Sequence, residues 1–192
     1  MILTNNSSTL LVVVDAQRLF AHAADPDGRC VGYIARHIDR GGYGHISYTR
    51  FINRSYSLPA TLLGYDKSMA QHPSAQLIPA IARRAEHTLD HAGYGPDPHD
   101  MDELVQHVRE RGINHAVVMG FDTDACVLGT AFALWDRGLA TTIDALGCAS
   151  MVVARHASRR AAYCPQIATG GRIRSKTPTP DSLIRSPGWV FV

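Results

Sequence analysis

Short apolar runs alternating with longer stretches of helical period constrain this chain more than any other feature. Residues 9–14 ("TLLVVV"), 45–49 ("HISYT"), 87–89, 115–119 ("HAVVM") and 140–143 ("ATTI") are each of strand length, and the first is apolar almost throughout. A strand covered on both faces has no polar side to show, so such runs belong to a parallel sheet sandwiched between helices. Helical period falls between them, over residues 31–40, a short stretch near 76–83, then 101–111, 124–137 and 152–163. In "DMDELVQHVRERGIN", Met101, Leu104, Val105 and Val108 recur at helical spacing and Gly112 supplies the stop. The grammar is that of a doubly wound, three-layer α/β/α domain.

At 192 residues one such domain fills the chain. Its core is expected over about residues 9–175, with "SKTPTPDSLIRSPG" near the C-terminus reading as a surface tail over about 175–192. A net charge of +2 with 19% charged residues offers no basic stripe or charge block. Nucleic-acid and membrane-surface partners are therefore not expected, and the partner is a small molecule. No apolar run approaches the roughly 20 residues of a membrane span. The four cysteines, Cys30, Cys126, Cys148 and Cys164, form no CxxC pair, and no secretory leader precedes the first strand. That pattern predicts a reduced, cytoplasmic protein.

In open parallel sheets, ligands bind beyond the carboxyl ends of the strands, near the point where strand order reverses. The residues that follow each run are thus the candidates. Asp15 follows the first, Asp90 and His91 the third, "GFDTDAC" the fourth, and Asp144 to Ser150 the fifth. Cys126 is placed in the first turn of a helix, with Asp122 or Thr123 as N-cap. Unpaired N–H groups and the helix dipole there favour an anion, so its thiol pKa should fall. The same N–H groups, from Asp122, Thr123 and Ala125, would hold an oxyanion if the sulfur attacked a carbonyl. Asp15 would take the thiol proton and return it to a leaving amine.

"LLVVVDAQRLF" and "HAVVMGFDTDACVLGTAFALWDRG", with the Asp-Ala segment after it, resemble the isochorismatase-like cysteine hydrolase family. Its members carry an apolar strand ending in Asp-x-Gln and later a Gly-x-x-Thr-x-x-Cys-Val turn. "TRFIN" is similar to a Thr-Arg-Phe-x-Asn stretch of some members. The resemblance covers roughly residues 9–165. It implies a six-stranded parallel sheet, an Asp, Lys and Cys triad with Asp15 and Cys126 as two of its members, and a non-proline cis peptide near Phe121–Asp122. It also implies a homo-oligomer, dimer or tetramer, and a hydrolase of amide-like C–N bonds that works through a thioester without a cofactor. Gln17, Phe20, Arg50, Asn53 and Tyr94 are the expected substrate-binding residues.

The family lysine does not carry over. Where members have Lys-x-x-Tyr after the third strand, "HAGY" places His91 three residues before Tyr94, and no lysine lies between Lys67 and Lys176. An imidazolium between two anions would do the lysine's work, because paired anions raise a histidine's pKa. The alternatives are a structural histidine in a degenerate site, and an alignment displaced by a residue or two. His87, His91 and His99 with Asp90 do not fit one helical face as metal ligands, and "TRFINRS" lacks the Asp-x-His of the metal-dependent nicotinamidases. No metal is expected. The rival functions are a binding or scaffolding protein that has lost the lysine, and a redox-sensing thiol protein.

Overall fold

The computed structural model describes residues 8–85 and 87–151. The expected helix at 152–163, Cys164 and the C-terminal tail lie outside the described residues. Five parallel strands make one sheet: β1 (Thr9–Val14), β2 (His45–Phe51), β3 (Thr88–His91), β4 (His115–Phe121) and β5 (Ala140–Ala149). Their order is β3-β2-β1-β4-β5. All five runs read from the sequence are strands, and the sheet is the α/β architecture expected, with five strands among the described residues where the resemblance implies six.

Every residue of β1 is buried, which is why the run could be apolar throughout. Alternation along it feeds two cores. Leu10, Val12 and Val14 pack with Leu89, Met101, Val105, Val118 and Leu134, under α5 (Pro98–Glu110) and α6 (Leu128–Asp136). Leu11 and Val13 pack on the other side with Phe20, Ile34, Tyr48 and Ile81, under α1 (Arg18–Ala24), α2 (Arg29–Arg40) and α4 (Pro79–Ala82). Two short helices escape the sequence reading, α1 and α3 (Leu58–Leu63), because seven and six residues are too few for a helical period to declare itself. No helix among the described residues is long and apolar enough to cross a membrane.

Two differences bear on the site. β5 runs on to Ala149, so Asp144 and Cys148 belong to a strand rather than to a loop after it. Its register on β4 shifts between Val118 and Gly120, and Gly147 packs so tightly on Met119 that an added Cβ would lie 2.7 Å from the sulfur. The segment expected as one helix from Asp124 is a wide π-type turn, Thr123–Val127, followed by α6. Cys126 sits in that turn, before the helix proper.

Candidate active site

The chain passes from β1 to β2 and β3 on one side and returns to β4 on the other, so strand order reverses at β1. Asp15 follows β1 and the Cys126 turn follows β4, and together they straddle this switch point. Gly120 makes the junction possible: its φ is 137°, and a Cβ there would stand 1.9 Å from the Val14 carbonyl oxygen. Asp15 itself takes a left-handed φ of 47°, a conformation that aspartate tolerates better than most residues. Its backbone N–H is held by Thr49 Oγ1 at 3.2 Å.

Asp15 and His91 are both buried, and His91 Nε2 lies 2.9 Å from Asp15 Oδ1. Thr49 Oγ1 donates to the same oxygen at 2.7 Å. The other ring nitrogen, Nδ1, lies 2.9 Å from the Gly93 carbonyl, which only accepts. Both imidazole nitrogens therefore face acceptors, and the pair must share a proton beyond that of a neutral ring beside a carboxylate. Burial works against the charged ring, but the hydrogen bond and charge of Asp15, the Gly93 carbonyl and Asp90 outweigh it and raise its pKa. The arrangement favours the charged form of the ring. Phe51 stands edge-on against the ring at 5.9 Å and fixes its tilt.

The second carboxylate oxygen, Asp15 Oδ2, is buried without a hydrogen-bond partner among the described residues. Cys126 is the neighbour that engages this carboxylate. Burial pushes the thiol pKa up, and the charge and hydrogen bond of Asp15 and the charge of Asp122 add to it, against a backbone hydrogen bond from Asp122 that favours the thiolate. The expected fall in thiol pKa is thus overturned: in the resting protein the sulfur keeps its proton beside a carboxylate able to take it.

The turn is braced from β5. Ser150 Oγ accepts from Thr123 N at 3.1 Å and donates to Asp124 Oδ1 at 2.7 Å, and Met151 N donates to Asp122 Oδ1 at 2.9 Å. The Asp122 side chain does not cap the turn; its carbonyl receives both Ala125 N and Val127 N at 3.1 Å. The N–H groups of Thr123 and Ala125 are therefore already used, which corrects their expected part as oxyanion donors. The Phe121–Asp122 peptide is cis, where the resemblance placed it. Asp122 is half-buried, and its carboxyl pKa is raised to about 6 by burial and by Asp124 and Asp15, with the Met151 N–H opposing.

The residues expected to bind substrate are mostly occupied elsewhere. Gln17 is buried, donates to the Phe51 and Ala75 carbonyls at 2.9 Å each, and accepts from Phe51 N at 2.8 Å. It ties three segments together. Phe20 is core, packed edge-on against Phe51. Arg50 lies on the face of the sheet opposite Thr49 and His91, in a two-pronged pair with Asp90 at 2.8 and 2.7 Å. Asn53 secures the loop after β2, donating to the Tyr65 carbonyl at 2.7 Å and accepting from Ser57 Oγ at 2.6 Å. Tyr94 is exposed at the rim, and its backbone rests on Gly129 of α6, where a Cβ would stand 2.2 Å from the Tyr94 carbonyl oxygen.

Sequence reasoning missed Thr49, Phe51 and Tyr65. Thr49 was legible in principle, since alternation along β2 puts it opposite Arg50. No cluster of histidine, cysteine and carboxylate side chains that could hold a metal ion occurs among the described residues.

The fold has relatives of known structure. An N-carbamoylsarcosine amidase from Thermoplasma acidophilum superposes with a TM-score of 0.65 at 22% identity, covering 81% of this chain and 91% of its own. The nicotinamidase of Staphylococcus aureus gives 0.60 at 21%, covering 83% and 92%. An isochorismatase-like hydrolase from Alkaliphilus metalliredigens gives 0.60 at 17%, covering 80% and 90%. Among curated proteins, none matches the chain in sequence. The Isochorismatase domain, however, matches residues 9–164, a span that holds β1 with Asp15, His91 and the Cys126 turn. With that match laid over this sheet, the chain belongs to the isochorismatase-like hydrolase family.

Proposed function

We propose that the protein hydrolyses an amide-type C–N bond of a small molecule through a thioester on Cys126. Asp15 serves as base and then acid, and His91 replaces the family lysine as the fixed positive charge. The observation that carries this reading is the 2.9 Å contact of His91 Nε2 with a buried Asp15 whose carboxylate also engages the Cys126 thiol. Fold relatives that act as an amidase and a nicotinamidase support the bond class.

The proton inventory closes. As Sγ bonds to the carbonyl carbon, Asp15 takes the thiol proton, and the Asp122 N–H that held the sulfur turns to the oxyanion. The C–N bond breaks as Asp15 hands that proton to the departing amine. Water then attacks the thioester, Asp15 takes its proton, and the expelled sulfur recovers it, leaving a carboxylic acid. Throughout, His91 holds its own proton and keeps Asp15 oriented. Burial and a raised thiol pKa weigh against the redox-sensor alternative, which needs an accessible, acidified thiol.

The test is a panel of primary and secondary amides with released amine as readout, run on the wild type, Cys126→Ala and Asp15→Asn. Turnover that disappears in both variants, with an acyl adduct on Cys126 seen by intact mass, is the expected result. Hydrolysis surviving in Cys126→Ala would overturn the covalent reading.

A further inference from the structure

A carboxylate that works as base and then as acid needs one oxygen reserved for the travelling proton, and an unrestrained aspartate reserves neither. Its χ2 torsion is broad and two-fold, so the two oxygens exchange places readily. In this protein they are not equivalent. Asp15 Oδ1 receives both His91 Nε2 at 2.9 Å and the Thr49 hydroxyl at 2.7 Å. Donors that favour the charged form of an oxygen make it the poorer site for a proton. The proton of Cys126, whose thiol engages this carboxylate, is therefore directed to Oδ2.

Thr49 is the more exacting of the two donors. It stands on β2, two residues before the strand ends, and is fully buried. The Asp15 N–H, 3.2 Å from Thr49 Oγ1, only donates, and a carboxylate only accepts. The hydroxyl must therefore receive the first and give its one hydrogen to the second, and no other orientation satisfies both. The Thr49 carbonyl also lies 3.3 Å from Asp15 N. Thr49 thus grips backbone and side chain together, and steadies the left-handed φ of 47° from which the carboxylate projects. Its branched Cβ stiffens χ1 and keeps the hydroxyl from turning away. His91 holds Asp15 at Oδ1 alone, and a single contact leaves a carboxylate free to swing about it.

We propose that Thr49 is the positioning residue of this site: its hydroxyl locks the Asp15 carboxylate so that Oδ1 stays with His91 and Oδ2 carries the proton between Cys126 and the leaving group. This rests on the reading of Cys126 as the attacking group and Asp15 as its base. Thr49 acts on the reaction through Asp15 alone. A hydrogen bond to a buried charged group is strong enough that deleting it slows a step depending on the placement of that charge by about ten- to a hundredfold. A residue that merely filled space would instead show losses that follow side-chain volume, whereas a lock follows the hydroxyl.

Two pairs of proteins isolate the hydroxyl: the wild type against Thr49→Val, which matches it in shape, and Thr49→Ser against Thr49→Ala, which differ by one oxygen. Each is treated with p-nitrophenyl acetate at neutral pH, and acetylation of the Cys126 peptide is timed by mass spectrometry. In that step Sγ bonds to the carbonyl carbon, Asp15 takes the thiol proton, and p-nitrophenolate leaves as the anion. Thr49→Val and Thr49→Ala are expected to acetylate about ten- to a hundredfold more slowly than the wild type, with most of the rate recovered in Thr49→Ser. In an Asp15→Asn background, where there is no base to place, Thr49→Val should cost nothing further. A full rate in Thr49→Val, a Thr49→Ser no faster than Thr49→Ala, or a loss that persists in Asp15→Asn would overturn the proposal. Either pair decides the question if a variant of the other does not fold. Acetylation needs neither amide turnover nor a protonated leaving group. This pattern without amide hydrolysis would therefore sink only the hydrolase reading, and hydrolysis that requires Asp15 but ignores Thr49→Val only this one; a Cys126 that the ester never acetylates would sink both.

Discussion

Replacing His91 by asparagine removes the positive charge beside Asp15 while leaving a polar side chain in a nearly closed space. Both partners of the pair are essentially inaccessible, with side-chain exposures of 1% and 0%, so solvent screening does not discount the interaction. Removing one member of such a buried pair typically costs about 3–5 kcal/mol, because the survivor stays desolvated and uncompensated. For a chain of this length, that corresponds to a fall of roughly 6–20 °C in Tm. The sign with pH follows from the raised folded-state pKa of His91. A histidine stabilised in its charged form contributes fully below its ordinary pKa, near 6.5, and loses that contribution as pH rises through the raised folded value. The gap between wild type and His91→Asn should be widest near pH 6 and narrow by pH 9. His91→Lys, which keeps its charge to higher pH, should flatten that narrowing. Urea unfolding at fixed pH from 5.5 to 9, with m-values checked for constancy, is the assay. A destabilisation of equal size at pH 6 and pH 9 would mean that His91 only fills space, and the imidazolium argument would fall.

Other perturbations separate scaffold from site. Gly129→Ala drives a methyl against the Tyr94 carbonyl, where 2.2 Å is available, and overpacking of this kind should cost about 1–3 kcal/mol and slow iodoacetamide labelling of Cys126 as α6 and the His91 loop part. Gln17→Ala strands Phe51 N and the Phe51 and Ala75 carbonyls; a loss of at least about 1–3 kcal/mol in urea unfolding, with Cys126 still labelled once folded, would identify it as a clip rather than a substrate contact. Arg50→Ala opens a partly exposed pair and should change stability by no more than about 1 kcal/mol and labelling not at all; a large loss of reactivity would restore Arg50 to the pocket mouth.

The candidate site was legible where local chemistry and fold grammar coincide. Asp15 and Cys126 follow apolar strands, and a parallel sheet delivers all its strand ends to one edge, so their proximity needed no structure. His91 was legible as the residue in the lysine's place, three residues before Tyr94, but its direct contact with Asp15 was not. The 76 residues that separate them leave unspecified whether an imidazole can reach across the end of β2, and the answer lies in how far Asp15 turns back on its left-handed φ. Gln17, Asn53 and Arg50 were read as lining residues from the Asp-x-Gln and Thr-Arg-Phe-x-Asn stretches in which they stand. Each is instead spent on a backbone group or a cross-strand carboxylate that no local pattern reveals.

Residue order alone determined the parallel sheet, two cores fed from the alternate sides of β1, and a carboxylate and a thiol at its carboxyl edge. Those outcomes follow from the periodicity of burial, which is written along the chain. Tertiary structure alone decided the direction in which the thiol shifts. A thiol in the first turn of an isolated helix would be acidified, but here burial and a neighbouring carboxylate reverse the shift, while the same carboxylate raises the pKa of a buried histidine. Electrostatic free energy depends on distance and dielectric, and both are properties of the packed molecule rather than of the order of its residues.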